Sequence, residues 1–421
     1  MDKLNSRRYF MLAAAAASML IVFTVTILEI ALHLAADAFP QVAVILNPSV
    51  RDGPIEPRLL DPELIYRGNP RYPQHDANGF RNASIPDNAD VVTIGDSQTY
   101  GSSVPFYQAW PRVLEKLSSC RIYNMALGGY GPLQYSVLAR EAVRFKPRLI
   151  FVAIYFGNDF YDNWEMYLRN PKKYSVPDNL LEPALELERS IPLSRDVADF
   201  FAMGQADFTE SSSQSSTQSP TEASWSFRHF LSRNSSLWGL GRAIKNRVFA
   251  NEESILSHQF QTSVAALTPK QLEYASIFRG TDWRTILTSR YREAVQNSDD
   301  PRIRVGYWLT EWAIQDINKV AKQTGIALTF VLLPTKESVF ASKIRDAREH
   351  KFFEKLTAEE NLHRQRLIQF MQKANINYVD MAPSLRSNAQ QPYFENADGH
   401  PNAIGNKIIA TRLLEHTGLC K

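Results

Sequence analysis

Four short segments of the 421-residue chain carry side chains that could do chemistry together. Gly95-Asp96-Ser97-Gln98-Thr99 places a serine just after an apolar run, Val91–Ile94. A serine hydroxyl is a weak nucleophile near neutrality and needs a base, for which histidine is the usual choice. Of the eight histidines, His400 stands apart, in Asp398-Gly399-His400-Pro401-Asn402. Asp398, two residues before it, would hold the imidazole and stabilise its charged form. Asn124-Met125-Ala126-Leu127-Gly128-Gly129-Tyr130-Gly131 offers glycine N–H groups that a ligand can approach closely, and Gly157-Asn158-Asp159 offers a side-chain amide. With the N–H of Ser97 these make three donors around a developing oxyanion, the charge that acyl transfer must stabilise. Each segment also has a purely structural reading. A serine at a strand end caps the next helix, Asp398 or Asn402 caps a helix beginning near Ala403, and glycine and asparagine serve turns.

The elements around these segments give them a common address. Strands are predicted at Val91–Ile94, Arg121–Leu127, Arg148–Phe156, Ile326–Leu333 and Asn377–Met381. Helices are predicted at Trp110–Leu117, Leu133–Arg144, Arg304–Lys322, Glu359–Ala374 and Ala403–His416. This alternation predicts an α/β fold with a parallel sheet covered by helices on both faces. The continuous apolar run Arg148–Phe156 reads as a strand buried on both sides. All four candidate segments then fall at the carboxyl edge of the sheet, where such folds bind their ligands.

The organisation expected along the chain is a cytoplasmic tip and membrane anchor over residues 1–32 and an irregular lead-in over 33–88. The two halves of the core follow at 89–159 and 301–421, separated by an insertion at 160–300. Within the insertion, Thr209–Ser224 is too polar and serine-rich to pack, whereas Phe227–Ala250 is helix-like with aromatic and basic residues. The insertion can be read as a lid, a partner surface or a solvated excursion.

Taken together, the segments resemble the four blocks of the SGNH/GDSL hydrolase superfamily, and the likeness covers roughly residues 89–160 and 300–416. The resemblance implies a flavodoxin-like three-layer α/β/α core with Ser97 as nucleophile and His400 and Asp398 as its base and acid. It implies an oxyanion hole built from Ser97, Gly129 and Asn158. Two positions depart from the pattern. The first block reads GDSQ rather than GDSL, which leaves the nucleophile in place. The last block is D-x-H rather than D-x-x-H, so the usual spacing would put the acid at Ala397, and the alternatives are Asp398 reaching His400 from the shorter spacing or a Ser97–His400 dyad. An exported SGNH domain with the segment Leu333-Pro334-Thr335-Lys336 is also similar to proteins related to polysaccharide O-acetylation. Lys336 follows the fourth strand and could face the site, with a solvated lysine as its simpler reading.

The implied activity is a serine esterase acting through an acyl-enzyme on an O-acetyl or other short acyl ester, with a small molecule or glycan as substrate. The rivals are an O-acyltransferase using the same intermediate and a non-catalytic envelope scaffold. No metal or organic cofactor is expected, because the sequence shows neither a ligand cluster nor a phosphate-binding loop. With 47 Lys+Arg against 44 Asp+Glu, the net charge of +3 gives no argument for nucleic-acid binding.

Phe10–Leu28 is an apolar run of 19 residues preceded by Lys3, Arg7 and Arg8. That length suffices for a transmembrane helix, and the basic flank puts the N-terminus in the cytoplasm and the remainder outside. The alternative is a cleaved signal with Ala36-Asp37-Ala38 as its site, but the run exceeds a usual signal core. Either reading exports the domain to the periplasm or beyond. Cys120 and Cys420 could then pair, or stay as two free thiols.

Overall fold

A computed structural model describes residues 17, 19–20, 23–32, 34, 56–193, 260–265, 267, 269, 272, 275–280, 283–344 and 347–420. The chain divides into two units, one of residues 1–55 and 211–255, the other of 56–210 and 256–421. The described residues of the first unit are helical, and Phe23, Val25, Ile27, Leu28 and Ile30 in it are exposed. Among the described residues no helix is long and apolar enough to cross a membrane. Residues 10–16, 18, 21 and 22 of the predicted span lie outside the described residues, as do the Ser-rich tract and Phe227–Ala250.

All elements named from here belong to the second unit. Its centre is a parallel sheet of β3 (Val91–Ile94), β4 (Ile122–Asn124), β5 (Leu149–Tyr155), β8 (Ala327–Leu333) and β9 (Asn377–Asp380), in the order β4-β3-β5-β8-β9. Counting sheet strands in chain order gives 2-1-3-4-5, the flavodoxin-like arrangement. In that arrangement the connections leave β3 and β5 in opposite directions, which opens a crevice at their carboxyl ends.

Alternation along the strands builds the layers. On β5, Ile150, Val152 and Ile154 join one core with Leu133 and Leu138 of α3 (Pro132–Ala142) and Leu309 and Ile314 of α7 (Pro301–Thr324). Phe151, Ala153 and Tyr155 face the other core, with Trp110 and Leu114 of α2 (Trp110–Ser118) and Ile409 and Leu413 of α11 (Ala403–Thr417). Every residue of β5 is buried, as the unbroken apolar run requires. The Cys120–Cys420 disulfide, with Cα atoms 5.7 Å apart, joins the segment before β4 to the chain end beyond α11.

Three parts differ from expectation. The lead-in is not wholly irregular, because β1 (Arg58–Asp61) and β2 (Ile65–Gly68) form an antiparallel hairpin. Their alternation is short, and most of their residues are charged or exposed, so periodicity alone does not reveal it. The insertion is not wholly separate either. Its first stretch forms α4 (Asp159–Arg169) and α5 (Asp178–Ser190), both packed on α7. Its last stretch forms a hairpin, β6 (Ser276–Arg279) with β7 (Arg284–Leu287), followed by α6 (Ser289–Gln296). Finally, Lys336, at the start of α8 (Lys336–Phe340), is buried rather than solvated, with 1% of its surface exposed.

Candidate active site

Ser97 opens α1 (Ser97–Tyr100), a single turn that begins where β3 ends. The helix cap is supplied by Asp96, whose carboxylate accepts from the Gln98 N–H at 2.9 Å. Capping therefore does not consume the serine hydroxyl. That hydroxyl lies 2.8 Å from Nε2 of His400, across 303 positions of sequence. On the other side of the ring, Nδ1 lies 2.5 Å from an oxygen of Asp398. A carboxylate can only accept, so Nδ1 carries the proton and Nε2 is free to accept from Ser97.

The shortened D-x-H spacing works because Asp398 folds back on its own loop. The oxygen that takes Nδ1–H also accepts the backbone N–H of His400 at 2.9 Å, an Asx turn that sets the carboxylate under the ring. Ala397, where the usual spacing would place the acid, is buried against Phe260 and Ile286. Capping of α11 falls to Asn402, which accepts from the N–H groups of Ile404 and Gly405, so Asp398 is left to the histidine. Burial works against the charged form of Asp398, but the His400 charge and hydrogen bond outweigh it and hold the carboxyl below its usual value. Burial likewise favours a neutral His400, yet Asp398 outweighs it and raises the ring above the ordinary histidine value. The buried Asp96 carboxyl, 3.5 Å from the Ser97 hydroxyl, is pushed up to about 6 by desolvation.

The three predicted oxyanion donors sit on three separate strand ends. Neither the N–H of Ser97 nor that of Gly129 donates to an acceptor among the described residues. Gly129 has φ of +78°, and a Cβ there would come within 2.6 Å of the Tyr66 hydroxyl, so glycine is required on two counts. The preceding Gly128 packs beside the nucleophile: a Cβ on it would lie 3.4 Å from the Cβ of Ser97. Asn158 follows β5, and its Nδ2 donates to Asp162 at 2.7 Å, leaving that amide one further hydrogen. The next residue, Asp159, anchors this loop by accepting from the Tyr155 N–H at 2.9 Å and the Tyr135 hydroxyl at 3.1 Å.

Of the residues that brace these loops, sequence reasoning missed Arg292 and read Lys336 first as solvated. Arg292, on α6, donates to the Gly157 carbonyl at 2.8 Å and pairs with Glu337 at 3.3 Å. Its guanidinium also lies so close to Gly399 that a Cβ there would meet it at 2.5 Å. One arginine from the insertion therefore touches both the Asn158 loop and the His400 loop. Lys336 donates to the backbone carbonyls of Ile286, Asn396 and Asp398, holding the approach to the acid. The available signal for Arg292 was its place on the inward stripe of an amphipathic helix, with Ser289, Val295 and Gln296. Among the described residues, no group of three or more His, Cys, Asp or Glu could hold a metal ion.

A parallel sheet ordered 2-1-3-4-5, with a serine–histidine–aspartate chain at its carboxyl edge, defines the architecture of a serine hydrolase-type α/β protein. Residues 308–418 match the family model described as "SGNH hydrolase-like domain, acetyltransferase AlgX". Over that stretch, which includes Asp398 and His400, the chain resembles a family of SGNH hydrolase-like domains. No curated protein matches the chain. Among solved structures, a protein from Desulfitobacterium hafniense DCB-2 described as lipolytic and of the G-D-S-L family is 12% identical, with 78% of this chain and 99% of that one covered and a TM-score of 0.30. A protein from Bacteroides fragilis NCTC 9343 described as an acylhydrolase is 10% identical, with coverage of 79% and 89% and a TM-score of 0.33. A GDSL-like lipase from Bacteroides thetaiotaomicron VPI-5482 is 9% identical, with coverage of 77% and 86% and a TM-score of 0.31.

Proposed function

We propose that this chain is a serine esterase acting on an O-acetyl or other short acyl ester through an acyl-enzyme. The observation that carries this reading is the hydrogen-bonded chain from Ser97 through His400 to Asp398, at 2.8 and 2.5 Å. Ser97 Oγ attacks the ester carbonyl carbon while His400 Nε2 takes the hydroxyl proton. The imidazolium so formed is stabilised by Asp398, whose carboxylate stays ionised. The carbonyl oxygen, now negative, is received by the N–H groups of Ser97 and Gly129 and by the Asn158 amide. His400 then protonates the departing alkoxide, and the same ring deprotonates the water that releases the acid.

Acyl transfer is the second reading, favoured by the matched family's description as an acetyltransferase over a stretch that includes Asp398 and His400. It needs the same serine chemistry and differs only in the acceptor, a glycan hydroxyl in place of water. A non-catalytic scaffold is the third, and the pairing of serine, histidine and aspartate argues against it. Labelling with a fluorophosphonate followed by peptide mapping tests all three. Ser97 should be the labelled residue, and Ser97→Ala should abolish both labelling and release from a chromogenic acetyl ester. Full activity in that variant would overturn Ser97 as nucleophile, and a parent protein that neither labels nor releases product would leave only the scaffold reading. Transfer of label from an acyl donor to an added glycan, faster than to water, would favour the acyltransferase.

Export and anchoring form part of the same proposal. They rest on the apolar run Phe10–Leu28 behind its basic flank and on the Cys120–Cys420 disulfide, which belongs to an oxidising compartment. The substrate would then be an ester-bearing molecule outside the cytoplasm.

A further inference from the structure

We infer that Arg58 and Tyr66, on the lead-in hairpin, aim the Gly129 N–H at the developing oxyanion by clamping the carbonyls on either side of it. The inference rests on the serine-esterase reading and extends it to a part of the chain that the block motifs do not reach.

The argument begins with the peptide plane. The N–H of Gly129 and the C=O of Gly128 belong to one planar trans unit, so they point in opposite directions and turn together. A guanidinium nitrogen of Arg58 donates to the Gly128 oxygen at 2.7 Å. The Tyr66 hydroxyl donates to the Gly129 oxygen at 2.6 Å and reaches the Gly128 oxygen at 3.4 Å. Both peptide planes that meet at Gly129 are therefore held from outside the loop. Holding is needed because a Gly-Gly pair has little steric resistance to a peptide flip, and a flip would turn the N–H away from Ser97. A hydrogen bond from a cation to the carbonyl also polarises its peptide unit, which strengthens the N–H as a donor.

The hairpin is itself held in place. The Arg58 guanidinium sits 4.6 Å from the centre of the Tyr66 ring. That ring stacks on Tyr130 at 5.5 Å, and the Tyr130 hydroxyl donates to the Tyr66 carbonyl at 2.9 Å. On the other face, Arg67 pairs with Asp61 at 3.1 Å and with Glu141 of α3 at 2.6 Å, fastening the hairpin to the core. Arg58 is exposed, so its substitution leaves the hydrophobic core untouched.

The test compares Tyr66→Phe, Arg58→Met and Arg58→Lys with the parent protein, reading kcat, KM, phosphonate labelling rate and melting temperature on one preparation. Loss of aim should lower kcat and the labelling rate about tenfold, short of the 10²–10³ expected when a donor is removed outright, with KM and melting temperature little changed. Arg58→Lys, which keeps a cationic donor, should recover most of what Arg58→Met loses. Leu60→Ser, on the same hairpin and 93% exposed, should behave as the parent. A fall in melting temperature with normal turnover in both Tyr66→Phe and Arg58→Met would make the clamp merely structural and overturn the inference. A raised KM at unchanged kcat would overturn it in favour of substrate contact. Failure of the parent protein to label at Ser97 would instead remove the esterase reading, and the inference with it.

Discussion

Asp398 shows how one side chain can reach a histidine ring from only two residues away. A single oxygen takes both the backbone N–H and the ring Nδ1–H of His400, so a two-residue separation reaches as far as the ring. This arrangement has a measurable consequence in pH. The ring is held above the ordinary histidine value, and in the proposed mechanism its neutral form is the base. Activity should therefore rise with pH through that elevated value, and the acid limb of kcat/KM should lie above the usual histidine pKa of about 6.5. Stability runs the other way for His400. The raised ring value contributes stability that is fully present below the unfolded value and is lost as pH rises through the folded one. Asp398→Asn should move the acid limb to lower pH, because the carboxylate that raises the ring is gone. It should also lower kcat by up to ~10⁴, because an amide can donate to Nδ1 and favour the wrong tautomer. A pH–rate profile of the two proteins decides this, and an acid limb that stays in place would show that Asp398 does not act on the ring.

At the scale of elements, the short helix α6 matters more than its length suggests. It brings Arg292 into the buried space between the loops after β5 and β9, where the guanidinium meets Glu337 with 7% and 1% of the two side chains exposed. Arg292→Met would strand the Glu337 charge, and breaking a buried pair from one side costs about 3–5 kcal/mol. Adding Glu337→Gln should recover much of that stability, since no uncompensated charge then remains. Turnover should stay low in the double variant, because the Gly157 carbonyl has lost its donor and Asn158 its brace. Denaturant midpoints and kcat on the same samples separate these effects, and normal turnover in the double variant would make Arg292 purely structural. The strands β3, β5 and β8 were legible from apolar runs because parallel strands covered on both faces are almost wholly apolar, with only Thr93 and Thr329 as exceptions. Helix α2 was legible from its amphipathic spacing. The two hairpins and α6 were not, because their stability comes from neighbours distant in sequence and their own patterns are too short to stand out.

For the whole molecule, the Cys120–Cys420 bond closes a sequence separation of 300 residues and ties the last helix to the strand at the sheet edge. Constraining so long a loop in the unfolded chain is worth on the order of 2–5 kcal/mol. Reductant should lower the melting temperature of the parent protein and leave a Cys120→Ser/Cys420→Ser variant, already less stable, unaffected. Alkylation trapping in intact cells should find the pair oxidised, as export requires. A pair found reduced there would count against export. What the sequence alone determined is the material of the site and its address. Ser97, Gly129, Asn158, Asp398 and His400 could be proposed for it because local chemistry and strand-end position are written within a few residues of each. The tertiary structure decided what holds them. Arg58, Tyr66, Arg292 and Lys336 act through contacts spanning 62 or more residues in all but two of their bonds to backbone carbonyls, those of Lys336 to Ile286 and Asn396 spanning 50 and 60. Such partners carry no local motif, because a buried arginine or lysine is defined by the carbonyls that folding brings to it.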